Sequence, residues 1–184
     1  MGAMPYPLTT ERLTLRFIRP GDEDVLTAYR NDPAVAALQD WDLPYERAHA
    51  ERLAAHQADL TDLERGGHHQ IGIEVDGELA GDLYVGLHEQ GGVAEIGFSL
   101  RPEFQGRGYA LEAATAVVDD LIENHGVHRV YAQLSPLNEP SERLLQRLGF
   151  TRESLAPRSY WWRGQWDDNL TYALSDEQWR ARRG

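Results

Sequence analysis

Cysteine is absent from the 184 residues of the chain, which excludes disulfides, zinc–thiolate sites and any acyl–cysteine intermediate. If acyl chemistry takes place here, another group has to make the attack. Basic residues are scarce as well: 18 Lys and Arg stand against 30 Asp and Glu, a formal charge of -12. Such a surface repels phosphate backbones and anionic headgroups, so neither nucleic acid nor a membrane is an expected partner, whereas a cationic substrate is. No apolar run approaches the ~20 residues that span a bilayer, and the N-terminus lacks a basic region followed by an apolar one, so a cytoplasmic setting is expected. Met1 to Met4 carries a second methionine and is given no weight. The histidines form no metal motif: His49 and His56 are seven apart, His68 and His69 are adjacent, and no His-Glu-x-x-His occurs. No metal is expected, and the histidines are read as surface residues.

What is present fits one domain over residues 1–184, with a core at about residues 8–175 and tails on either side; hydrophobic residues are 41% and charged residues 26%, near globular averages. Leu13, Leu15 and Phe17 alternate with polar neighbours as in a half-buried strand, ended by Pro20-Gly21. Asp22 is expected to cap a helix bearing Val25, Leu26 and Tyr29, which Asn31-Asp32-Pro33 stops. A second helix is expected from about Pro44 to Leu63. Ile71 to Val75, Leu79 to Val85 and Ala94 to Leu100 read as three consecutive antiparallel strands, the first pair joined by an Asp76-Gly77 turn.

Ala110, Ala113, Ala114, Val117, Val118 and Leu121 step by three and four, the strongest helical pattern in the chain. Arg129 to Leu134 then reads as a strand, Ser141 to Leu148 as a helix closed by Gly149, and Phe150 onward and Trp166 to Leu174 as two more strands. The order is that of an α+β domain containing one crossover unit. Arg180, Arg182 and Arg183 read as a small solvated basic tail.

The segment carrying chemistry is Gln105-Gly106-Arg107-Gly108-Tyr109-Ala110 at the start of the strongest helix. Two glycines let successive backbone N–H groups point into one concavity at the helix's positive end, which makes an anion site for a pyrophosphate. A dinucleotide fingerprint needs a third glycine where Leu111 stands, and an acid near the end of the next strand, where Gln133 and Ser135 stand. A Walker loop needs Lys followed by Ser or Thr, which these glycines lack. A turn with small residues for close packing is the structural alternative.

These residues resemble the pyrophosphate loop of the GCN5-related N-acetyltransferases (GNAT), Gln/Arg-x-x-Gly-x-Gly/Ala. Asn138-Glu139-Pro140-Ser141 through Leu148-Gly149-Phe150 resembles that family's later segment. Thr10-Glu11-Arg12-Leu13-Thr14-Leu15-Arg16, Glu95-Ile96-Gly97-Phe98 and the Tyr172-Ala173-Leu174 end with Trp179 resemble its RimJ/RimL branch. That branch acetylates protein N-termini and also contains enzymes for antibiotics, polyamines and other small amines.

The resemblance implies a mixed, mostly antiparallel sheet of about seven strands with helices on both faces, and acetyl-coenzyme A as co-substrate. It implies that the strand at Glu95 to Leu100 splays from Arg129 to Leu134, so that Phe98, Ser99 and Leu100 meet the pantetheine as an added strand would. Gln105, Gly106, Arg107, Gly108, Tyr109 and Ala110 would hold the pyrophosphate and Asn138 the pantetheine. The amine attacks the thioester directly, with a main-chain N–H near Ile96 to Phe98 for the oxyanion.

An alkyl amine is mostly protonated at neutral pH and has to lose a proton. Glu95 is the first choice of base, the alternatives being a carboxylate that only attracts the cation or a solvated strand residue. Ser141 is placed near the leaving sulfur, its alternative being a helix N-cap; Tyr109 is a second candidate for the thiolate. Asp40, Trp41, Asp42, Tyr84, Tyr160, Trp161 and Trp162 are candidates for an acidic, aromatic acceptor pocket.

The acceptor is expected to be a protein N-terminus or a small-molecule amine. A binding module that keeps the acyl-CoA pocket without turnover is the reading from another class, and free-thiol release separates it from an enzyme. A homodimer is expected from the frequency of symmetric pairs, with the aromatic C-terminal strands as its interface.

Overall fold

A computed structural model describes residues 6–184; Met1 to Met4 lie outside them. Among the described residues, eight strands form one sheet: β1 (Leu8–Thr9), β2 (Leu13–Phe17), β3 (His68–Val75), β4 (Glu78–Leu87), β5 (Val93–Leu100), β6 (Arg129–Leu134), β7 (Thr151–Trp162) and β8 (Gln165–Ser175). Their order is β1-β2-β3-β4-β5-β6-β8-β7. All neighbours are antiparallel except β5 and β6. The expected α+β plan and the β3–β5 meander are present, and the short β1 makes eight strands where about seven are expected.

Among the described residues, six α-helices accompany the sheet: α1 (Glu23–Arg30), α2 (Pro33–Ala36), α3 (Arg47–Gln57), α4 (Tyr109–Glu123), α5 (Glu139–Leu148) and α6 (Asp176–Arg183). The apolar stripe of α4 drives Ala113, Val117, Val118 and Leu121 fully into the main core, together with Ile71, Ile73, Leu83, Val85 and Ile96 of the sheet and Leu145 and Trp179. Each such leucine or isoleucine contributes about 1.5–3 kcal/mol by leaving water. A second cluster joins α1 to α3 through Leu26, Tyr29, Ala50 and Ala54. Among the described residues no helix is long and apolar enough to cross a membrane.

Several local expectations need correction. Asp22 does not cap α1 with its side chain; its carboxylate is taken by the Arg16 guanidinium at 2.8 and 3.0 Å and by the Arg19 N–H at 2.9 Å. The helix expected over 44–63 is α3 alone, and Asn31-Asp32-Pro33 stops α1 as expected but also opens the short α2, where Asp32 caps Ala34 N–H. The ordered core extends beyond residues 8–175: Tyr6 is buried, and α6 is a docked helix. Ser175 and Gln178 close a reciprocal capping box, and Trp179 Nε1 donates to Asp119 Oδ1 at 2.7 Å. Arg180 and Arg183 pair with Glu123 and Asp119 at the acidic end of α4. His69 is buried and accepts the Glu64 N–H through Nε2. Burial lowers its pKa from the ordinary value, which suits a neutral acceptor.

His125 is the other inward histidine. Its Nε2 lies 3.2 Å from Asp62 and 3.3 Å from Asp120 of α4, while Tyr6 Oη donates to Asp120 at 3.4 Å. Neither carboxylate lies in line with the ring N–H, so the attraction is charge on charge rather than a well-aligned hydrogen bond. The contact with Asp120 raises the imidazole above its ordinary value, against burial, and Asp62 adds to it. A raised folded value means that the stabilisation is complete below the unfolded pKa and is lost as pH rises through the folded one. The melting-temperature difference between wild type and His125→Gln is therefore expected to be largest near about pH 6 and to shrink towards about pH 8. A difference independent of pH would contradict this ion pair.

Candidate active site

The sheet opens at one place. Parallel pairing of β5 with β6 covers only Val93↔Arg129, Ala94↔Val130 and Glu95↔Tyr131, although β5 runs on to Leu100 beside β4. Both main-chain groups of a strand residue point to one side, so the direction of each can be read from its partners. Arg101 N–H bonds Ala80 O of the β4 side, whereas Phe98 O and Leu100 O accept the side-chain amides of Gln39 at 3.5 Å and Gln105 at 2.9 Å. The main-chain groups of Ile96, Phe98 and Leu100 therefore face the gap.

Two spaces meet at this edge. A groove of about 390 Å³ runs past Phe98, Leu100, Gly106, Gly108, Tyr109 and Ala110. Gly106 and Gly108 have φ of 74° and 82°, the left-handed region in which glycine costs least, and a Cβ on Gly106 would enter open space. Among the described residues, the N–H groups of Tyr109, Ala110 and Leu111 have no acceptor within α4, whose first bond runs from Glu112 N–H to Gly108 O. These free donors at a helix's positive end, beside the Gly106–Gly108 turn, fit a pyrophosphate. The Arg107 side chain is exposed, and the Gln105 amide holds Leu100 O.

A bracket that the sequence reading missed holds this turn in place. Arg12 donates to Arg107 O at 3.0 Å and pairs with Glu112 at 2.6 Å. Its guanidinium lies 4.7 Å from the centre of the Tyr109 ring, and Thr10 Oγ1 donates to the same carboxylate at 2.6 Å. The signal was the Thr10-Glu11-Arg12 run just before β2, whose spatial partner Glu112 on α4 lies 100 residues away. Tyr109 packs with Phe104, ring centres 6.4 Å apart.

On the other side lies a cavity of about 450 Å³ lined by Asp40, Trp41, Tyr84, Glu95, Tyr160 and Trp162, with Asp167 and Asp168 added by β8. Asp42 and Trp161 do not line it; Trp161 faces solvent with its ring edge-on to Trp166, centres 5.4 Å apart. The β7–β8 hairpin tip closes over the loop after α2, where Trp162 Nε1 donates to Gln39 O at 3.0 Å and Arg163 to Ala36 O at 2.8 Å. Asp82 also lines the space, but Arg30 at 2.7 Å and the Tyr29 hydroxyl occupy its carboxylate.

Glu95 accepts from Tyr131 Oη at 3.3 Å. Burial raises its carboxyl above the ordinary value, the Tyr131 bond opposes this, and the Asp40 charge adds to it. Asn138, Ser141, Ser99 and Phe98 line both the groove and the cavity. Ser141 is not the cap of α5: Asn138 is, accepting the Ser141 N–H at 3.2 Å. That leaves the Ser141 hydroxyl free where the two spaces join.

This geometry agrees with what the chain is similar to. Residues 12–151 match the acetyltransferase (GNAT) domain family, and the chain belongs to that family. It is 32% identical to the uncharacterized N-acetyltransferase p20 of Bacillus licheniformis over 80% of this chain and 84% of that one. It is 36% identical to the ribosomal protein uS5-alanine N-acetyltransferase of Escherichia coli, a match spanning 46% of this chain and 43% of the relative; some curated relatives are thus matched over only about half their length or less. The solved structure of Mycobacterium smegmatis RimJ in complex with CoA-disulfide superposes with a TM-score of 0.77 at 25% identity, covering 97% of this chain and 91% of that one.

The bracket carries the prediction for this site. Arg12→Ala is expected to weaken coenzyme A binding about tenfold, or ~1.4 kcal/mol, by loosening the free N–H groups of the turn. The ion pair is half-exposed and adds little to stability, so the melting temperature of the unliganded protein should barely move. Titration calorimetry reads the affinity, and an unchanged Kd would show that the turn holds its shape without Arg12.

Proposed function

We propose that the protein is an acetyl-coenzyme A-dependent N-acetyltransferase whose acceptor is the α-amino group of a protein N-terminus, as in the RimJ/RimL branch. One observation carries the reading: the donor groove and the carboxylate-lined cavity meet at the open edge of β5, with Ser141 on both and Glu95 in the cavity. Similarity to an alanine N-acetyltransferase and to a RimJ structure supports the choice of acceptor.

Bound acetyl-coenzyme A supplies an activated acyl carbon. The N–H groups of residues 106–111 hold its pyrophosphate, and the main chain of Ile96, Phe98 and Leu100 takes its pantetheine as an added strand. Glu95 removes a proton from the ammonium, and its raised pKa brings it closer to that task at neutral pH. A main-chain N–H between Ile96 and Phe98 lowers the cost of negative charge on the acyl oxygen. The free Ser141 hydroxyl hydrogen-bonds the departing sulfur and helps its protonation. Asp40, Asp167 and Asp168, with Trp41, Tyr84 and Tyr160, receive the cation. The same carboxylates favour a second reading, a small polycationic amine, and competition between an N-terminal peptide and a polyamine separates the two.

Glu95→Gln is expected to lower kcat by roughly 10²- to 10⁴-fold while coenzyme A still stabilises the fold. In wild type, activity should rise as pH passes through the raised pKa of Glu95, and the variant should lose that limb. Thiol release at varied pH measures both; an unchanged rate would remove Glu95 from the base role. The chain contains no lysine, so acetyl mass found on the acceptor is not blurred by acetylation of the enzyme's own side chains.

A further inference from the structure

Acetylation of an ammonium leaves one proton over. The nitrogen starts with three, forms the new C–N bond and keeps one as the amide N–H. The C–S bond breaks and the sulfur takes the second to become a thiol. The third, collected by Glu95, has to leave a half-buried carboxylate before the next cycle. The following inference rests on the reading of Glu95 as base.

His68, Gly86 and Glu95 stand in one row across three strands, paired as His68↔Gly86 and Gly86↔Glu95. Side chains in such a row share a face of the sheet, and so does Tyr84, two residues before Gly86. The middle position of the row has no side chain, and the Tyr84 phenol leans over it. A Cβ placed on Gly86 would lie 2.6 Å from Tyr84 Oη and 3.5 Å from His68 Nδ1. Tyr84 Oη itself lies 2.6 Å from His68 Nδ1, with the two rings stacked at an interplanar angle of 15°. His68 is exposed. An exchangeable hydroxyl thus fills the space between the carboxylate and a solvent-facing imidazole.

We propose that Tyr84 and His68 form the proton exit of the acceptor cavity. Protonated Glu95 gives its proton to Tyr84 Oη through one water, the Tyr84 hydroxyl passes its own to His68 Nδ1, and the resulting imidazolium releases a proton to solvent. Each transfer moves one proton; the Glu95 carboxylate is restored and Tyr84 stays neutral throughout. The charges around the path agree with this. Burial first, then Glu95, Tyr131 and Asp40, push the Tyr84 phenol up to about 12, so it does not rest as a phenolate. Among the groups coupled to Glu95, Tyr131 and His68 pull its pKa down while Asp40 and burial push it up. Tyr160 feels Asp40 and Glu95 from the hairpin side. Gly86 then has a role that packing alone does not require: any side chain there would displace the phenol from the row.

The test is thiol release by the full chain at saturating acetyl-coenzyme A and acceptor, in dilute buffer and again with imidazole added. His68→Ala is expected to lower kcat roughly tenfold in dilute buffer, less than loss of the base itself, with both KM values unchanged and most of the rate restored by imidazole. His68→Gln keeps a hydrogen-bonding partner for Tyr84 but carries no proton at neutral pH, so it should behave as His68→Ala does; a purely structural role would be rescued by it. Tyr84→Phe should lose rate that imidazole does not restore, because the break lies inside the cavity. Full kcat in His68→Gln, or a loss in His68→Ala that ignores imidazole, overturns the exit while leaving Glu95 as base. Absence of thiol release by wild type with any amine overturns the reading of the base, and the exit with it.

Discussion

The parting of β5 from β6 is the constraint on which the rest of the architecture depends. A continuous parallel ladder would pair every main-chain group of Ile96 to Leu100 and leave neither groove nor cavity. Pairing ends instead at Glu95↔Tyr131, at the point where β6 continues beside β8 and β5 continues beside β4. Buried backbone groups without partners are costly, and here two glutamine amides, from Gln39 and Gln105, cover part of the open edge. What they leave uncovered lies beside the free N–H groups at the start of α4. Glu95 is the last paired residue before the gap, which puts the one half-buried, raised carboxylate of the site at its mouth.

Charge is sorted about this edge. Arg12 stands at the glycine turn before α4, while Asp40, Asp167 and Asp168 gather on the cavity side. The Arg30–Asp82 pair is buried between them and the α1–α3 cluster, with Trp41 and Tyr45 against the guanidinium at 4.8 and 4.9 Å. A buried pair of this kind adds little net stability, but losing one partner strands a charge; it ties the loop carrying Asp40 and Trp41 to the sheet through the Trp41 bond to Arg30 O. The net charge of the chain thus has a local counterpart at the acceptor side.

The elements that could be read from the residues were those with strong periodicity or glycine chemistry: α4, the β3–β5 meander, and the turn whose two glycines adopt positive φ. The splay was implied by family resemblance and not by any pattern in β5, because strand pairing is decided by residues far away in the chain. A cap was the alternative for Ser141 because serine favours that position, yet Asn138 three residues earlier took it, an equally good cap with Pro140 inside the first turn. The C-terminal helix was missed because its arginines look solvated in one dimension; its capping box was present in the residues, but its acidic partners belong to α4. The contacts of Arg12 with Glu112 and of His68 with Tyr84 were invisible for the same reason, since only the fold brings each pair together.

Residue-resolved amide hydrogen exchange with and without coenzyme A tests the central claim most directly. If the open edge of β5 receives the pantetheine as a strand, the amides of Ile96, Phe98 and Leu100 gain protection along with residues 106–111, while Gly97 and Ser99, already turned towards β4, change little. Protection gained equally by Gly97 and Ser99, or by none of these residues, would contradict the account.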